Sequence, residues 1–209
     1  MTLGESLERL DQLLPEREPE FWATLNPPAI ESDLDVLRRV LDPYEPHDEL
    51  VQLLRWHDGQ RDDPSYTEGA WPLIECGPML SALGAREAYQ REDLWSELIE
   101  LGWWSTSWVP LWMTRWSIGV VEMARPLGGL VLDASFGELR ARPVAQSLSA
   151  LMQAVCVIVE EGFPLRGAPG EGLTGKQWLE REDLVRPFHA VYSDGLARTA
   201  PILKDAGLP

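Results

Sequence analysis

The chain has 209 residues, 44% of them hydrophobic and 25% charged, the make-up of an ordinary globular domain rather than a disordered chain. Eighteen bases face 34 acids, a net charge of −16 that makes nucleic acid and anionic lipid poor partners. No apolar run reaches the ~18 residues of a membrane span, and the start MTLGESLERLDQLLPE has no basic segment followed by an apolar one, so the expectation is a cytoplasmic protein.

In chain order, Leu3, Leu7, Leu10 and Leu14 recur at helical spacing ahead of Pro15 and predict an amphipathic helix of three turns. A short turn over 19–25 carries Phe21, Trp22 and Leu25, and Asn26-Pro27-Pro28 ends it. Ser32 with Asp35 reads as the cap of a second helix whose buried stripe is Leu34, Leu37, Val40 and Leu41. Residues 47–57 predict a third helix, with Gly59 placed to close it in the left-handed conformation. The segment 60–70 is a polar, acidic loop, 71–75 reads as a strand, and 80–101 is helical with weak points at Gly84 and 91–93.

From Ser107 the period changes. Residues 108–113, 118–123, 130–133 and 139–144 are short β-rich runs separated by tight turns, the pattern of antiparallel hairpins. Ser147 or Ser149 then opens a helix that is apolar nearly all round, ending at Gly162, and should be buried against the sheet. Residues 166–172 form a Gly/Pro linker, and a last helix is expected over 175–193. The fold class is therefore α+β: N-terminal helices, a mostly antiparallel sheet of five or six strands, a buried closing helix and a C-terminal helical extension. The division is a domain at 1–165 and an extension at 166–209.

Several pieces taken together resemble the SUKH superfamily, which includes the fungal cell-wall-synthesis regulator domain. They are Leu25-Asn26-Pro27-Pro28-Ala29, the helix with Leu34 and Leu37, Pro43 and Pro46, the helix end Trp56-His57-Asp58-Gly59-Gln60, Trp108-Val109-Pro110-Leu111, and the 128–133 strand. The likeness spans about residues 20–163. It implies an α+β fold without catalytic residues or a cofactor. It also implies an immunity protein that neutralises a toxin by direct contact, or alternatively a non-enzymatic regulatory scaffold.

The chemistry-bearing patterns agree with a protein that is not an enzyme. Residues 170–177 place Gly, four residues, then Gly-Lys, but Gln177 stands where a phosphate loop needs Ser or Thr for its metal ion. His57, Asp58, Asp62, Asp63 and Glu68 lack the order of a calcium loop, and Cys76 and Cys156 lie far apart outside any CxxC pair. No catalytic residue, metal site or cofactor is expected.

The acids are uneven. Residues 1–104 hold 23 acids and eight bases, whereas 105–209 hold 11 and ten. Such a field steers a basic protein partner, for instance a nuclease-type toxin whose cleft holds phosphates. The expected contact residues are Asp58, Asp62, Asp63 and Glu68 in the acidic loop, with Trp71, Trp103 and Trp104 as apolar anchors. The assembly is expected to be a monomer or a dimer.

Overall fold

The computed structural model describes residues 1–61, 78–100, 104–113, 117–135 and 140–162. The leucine stripe of the first segment forms α1 (Leu3–Arg17), opened by Thr2, whose side chain accepts from Glu5 N while the Glu5 carboxylate accepts from Thr2 N. The helix runs through Pro15 rather than ending before it. Pro15 lies in the last turn, and Glu18 N closes that turn on Leu14 O at 2.9 Å. A four-residue α2 (Pro19–Trp22) buries Phe21 completely.

Helix α3 (Glu31–Leu41) buries Leu34, Leu37 and Leu41 as its spacing predicts. Its cap is not Ser32. The helix begins two residues earlier, with Ile30 as an extended N-cap that makes no side-chain hydrogen bond. Two arginines draw Glu31 into the first turn: Arg38 at 2.6 Å and Arg55 at 2.8 Å. Helix α4 (Asp48–Trp56) opens on His47, whose Nδ1 accepts from Glu49 N at 3.4 Å. Gly59 then adopts φ +72°, the left-handed turn expected of it. A Cβ there would also lie 2.4–2.7 Å from the backbone of residues 79–81, so the site excludes every larger residue on two grounds.

The helical stretch after residue 80 breaks at Gln90 and Arg91 into α5 (Ala82–Tyr89) and α6 (Glu92–Glu100). Four strands follow: β1 (Trp108–Met113), β2 (Ser117–Glu122), β3 (Val131–Ser135) and β4 (Arg140–Ala145). They pair antiparallel in the order β1-β2-β3-β4. The fold is α+β, and the described residues hold four strands rather than five or six. Residues 71–75, expected as a further strand, and the expected 175–193 helix lie outside the described residues.

Both faces of the sheet are covered. Val109, Val121, Val131 and Val144 face the leucines of α1, α3, α4 and α7 (Leu148–Glu160). Trp108, Ile118, Val120 and Leu132 face the other way, against Trp95 of α6 and Trp104. This is why β1 and β2 read as continuous apolar runs instead of alternating. A bulge at Leu111 shifts the phase of β1, so Leu111 and Trp112 both reach the helix-covered side.

Ser147 is the N-cap of α7 and accepts from Ala150 N. The helix is buried on the covered side of the sheet as expected, sharing its core with Val109, Val121, Val131 and Val144, and it packs most extensively along α1. Small Ser6 permits that approach: it is fully buried, and its carbonyl accepts from Cys156 Sγ at 3.3 Å. Burial pushes the Cys156 thiol up to about 11, so it stays protonated and inert. Arg17 donates to the carbonyls of Val159 and Glu160 and so caps the end of α7.

Candidate functional site

The chain leaves α4 through a short, heavily bonded corner. Asp58 N donates to Pro27 O at 3.1 Å, Asn26 N to Gly59 O at 3.0 Å, and Asn26 Nδ2 to Asp58 O at 2.9 Å. Gln60 continues this work. Its side chain is buried, donating to Thr24 Oγ1 and accepting from Met79 N as a peptide group would. The corner therefore ties α2 and the start of the acidic loop to residue 79, beside β1.

Asp58 was expected to offer its charge to a partner. The structure gives it a local duty instead: Oδ1 accepts from Ala82 N at 2.6 Å, at the first turn of α5, where Ser81 Oγ accepts from Gly84 N. The carboxyl is half-buried and held above its usual range, chiefly by desolvation and in part by Asp33, with the Ala82 N–H working the other way. A raised folded-state value means that ionisation opposes folding. The favourable contribution is complete below the ordinary carboxylate value near 3.8 and is lost as pH rises through the higher folded one. Asp58→Ala should cost about 1 kcal/mol through loss of the acceptor. Asp58→Asn, which keeps an oxygen and cannot ionise, should be at least as stable as the parent at neutral pH. That advantage should shrink as the solution is acidified, and urea unfolding at several pH values checks it.

Trp104 is corrected more firmly. It was expected as an exposed anchor, but it is only 6% exposed. Its ring stacks on Trp95 at 4.0 Å and meets Trp108 edge to face at 5.4 Å. Three indoles in contact form the second core, and the physical reason is the sheet's need for a cover on that face. The remaining expected contact residues, Asp62, Asp63, Glu68, Trp71 and Trp103, lie outside the described residues.

Half of the net negative charge lies in the N-terminal helices. Residues 1–61 hold 14 acids and six bases, a net of −8, and no lysine. Exposed carboxylates stand on α1 (Glu8, Asp11, Glu16), on α2 (Glu20) and between α3 and α4 (Asp42, Glu45). The arginines are engaged locally. Arg38 and Arg55 share Glu31, Arg38 also pairs with Asp35, Arg9 pairs with Glu160, and Arg39 donates to Asp35 O. Such exposed pairs stabilise little. Their consequence is electrostatic: the two guanidiniums hold Glu31 below the usual carboxylate range, and Thr2 does the same for Glu5. These two carboxylates therefore stay ionised into more acid solution than ordinary ones do.

One buried acid escaped the sequence reading. Glu122, at the end of β2, is 4% exposed and accepts from Trp108 Nε1 at 2.9 Å and Ala124 N at 2.7 Å. One oxygen thus holds the start of the β2–β3 turn and the other ties β2 to Trp108 of β1. The available signal was an acid closing an otherwise apolar strand, opposite a tryptophan whose N–H needs an acceptor.

Among the described residues no group of three His, Cys, Asp or Glu side chains is placed to hold a metal ion, and no helix is long and apolar enough to cross a membrane. No protein-family model matches the chain, and no curated protein matches it.

Proposed function

We propose that this chain is a cytoplasmic binding protein of the immunity type, which neutralises a toxin domain by direct contact and performs no catalysis. The observation that carries the reading is the concentration of negative charge on the helical layer, −8 over residues 1–61. The acidic loop that follows adds Asp62, Asp63 and Glu68. A basic cleft built to hold phosphates is the complementary surface, and a rigid acidic face occupies it by standing in for those phosphates. The likeness to SUKH immunity proteins points the same way. The corner at 57–60, bonded to 24–27 and 79, fixes the chain immediately before these acids.

The test is neutralisation. Any toxin domain found encoded beside this gene is expressed with and without the chain. Restored growth together with a complex that co-purifies supports the reading. Undiminished toxicity, with no complex formed from purified components, contradicts it.

A further inference from the structure

We infer that the patch formed by Trp22, Trp56 and His57 receives an arginine side chain of the partner, an inference that takes the partner's existence, though not the chemistry, from the proposed function. The two indoles come from α2 and from the last residue of α4, and both are partly exposed while resting on the core. Each meets the His57 ring edge to face, at 5.0 Å for Trp22 and 4.6 Å for Trp56. The rings are held in place before any partner arrives. Trp56 Nε1 donates to Asp11 Oδ1 at 2.7 Å, and His57 Nδ1 donates to Asn26 O at 2.5 Å. The Asn26 carbonyl fixes a proton on Nδ1, and Nε2 has no protein partner among the described residues.

The arrangement thus offers two partly exposed indole rings, an unpartnered imidazole nitrogen and the Asp11 carboxylate, with exposed Glu8 a turn away on α1. The neighbouring cation, Arg55, is turned to Glu31. Planar guanidinium matches this set better than ammonium does, because it stacks on indole while its N–H groups donate in the plane. Rigid, half-buried tryptophans flanked by charge are also the usual composition of an interface anchor.

The experiment uses the full chain labelled with nitrogen-15 and two probes, acetyl-Gly-Arg-Gly-amide and acetyl-Gly-Lys-Gly-amide. The indole N–H signals of Trp22 and Trp56 are followed by NMR. A saturable shift of both signals with the arginine peptide, clearly tighter than with the lysine peptide, is expected. Trp56→Phe should weaken arginine binding roughly two- to fivefold, the share of one ring. Equal response to both peptides, or no saturable shift, overturns the inference and needs no variant to fold. In the complex with the toxin, Trp22→Ala with Trp56→Ala should speed dissociation. An unchanged dissociation rate there overturns the patch while leaving the immunity reading intact, whereas absence of any complex with the parent chain counts against that reading alone.

Discussion

Replacing Trp108 with alanine should destabilise the protein by about 3–5 kcal/mol. The ring is 1% exposed and carries the second core, touching Trp104 edge to face. Its removal also takes the Nε1 donor from Glu122, leaving a buried carboxylate with the single bond from Ala124 N. Trp108→Phe separates the two effects. It retains most of the packing and loses only the donor, so its cost should fall nearer 1–3 kcal/mol. Urea unfolding of both variants measures the difference, and adding Glu122→Gln to Trp108→Phe should recover part of the loss because the remaining group is uncharged. A Trp108→Ala protein with an unchanged unfolding midpoint would refute the placement of β1.

Gly119→Ala should be nearly as damaging for the opposite reason. Trp112 lies flat over Gly119 on the neighbouring strand, and a Cβ at 119 would sit 1.9–2.2 Å from three atoms of the indole. The ring is buried and cannot swing outward without opening the core beneath the helices. Overpacking of this kind costs about 1–3 kcal/mol, and a clash this deep belongs at the upper end. The cost should be strongly non-additive with Trp112→Ala. In the double variant the added methyl meets empty space, so its penalty largely vanishes. Equal penalties in the two backgrounds would show that the ring does not cover Gly119.

The contrast between legible and illegible features follows from the range of the interactions. The leucine stripes of α1, α3 and α4, the Gly59 turn, the break near residue 91 and the Ser147 cap are local matters, decided within a turn or two of the chain. The cap of α3 was misplaced: Ser32 lies inside the first turn, and the N-cap is Ile30, which carries no side-chain acceptor for sequence reading to find. Trp104 was misjudged because a dense run of tryptophans looks the same whether it faces solvent or a second layer. Only the pairing of Trp104 with Trp95 and Trp108 shows the sheet covered on both sides. Asp58 reads as part of an acidic loop, yet its partner is Ala82, 24 residues on. The Trp22–His57–Trp56 patch was illegible for the same reason, since it assembles α2 and the end of α4. The overall negative charge, by contrast, needs no folding to be read, which is why it was plain from the start.

The central claim, that negative charge in the first half of the chain steers a basic toxin domain, is tested most directly by association kinetics. Stopped-flow mixing of the chain with that domain at low and high salt should give a rate that falls steeply as salt rises. Asp62→Lys combined with Asp63→Lys should slow association about tenfold at low salt and flatten the salt dependence, with little change in dissociation. An association rate that is the same for parent and variant, and insensitive to salt, would contradict the account.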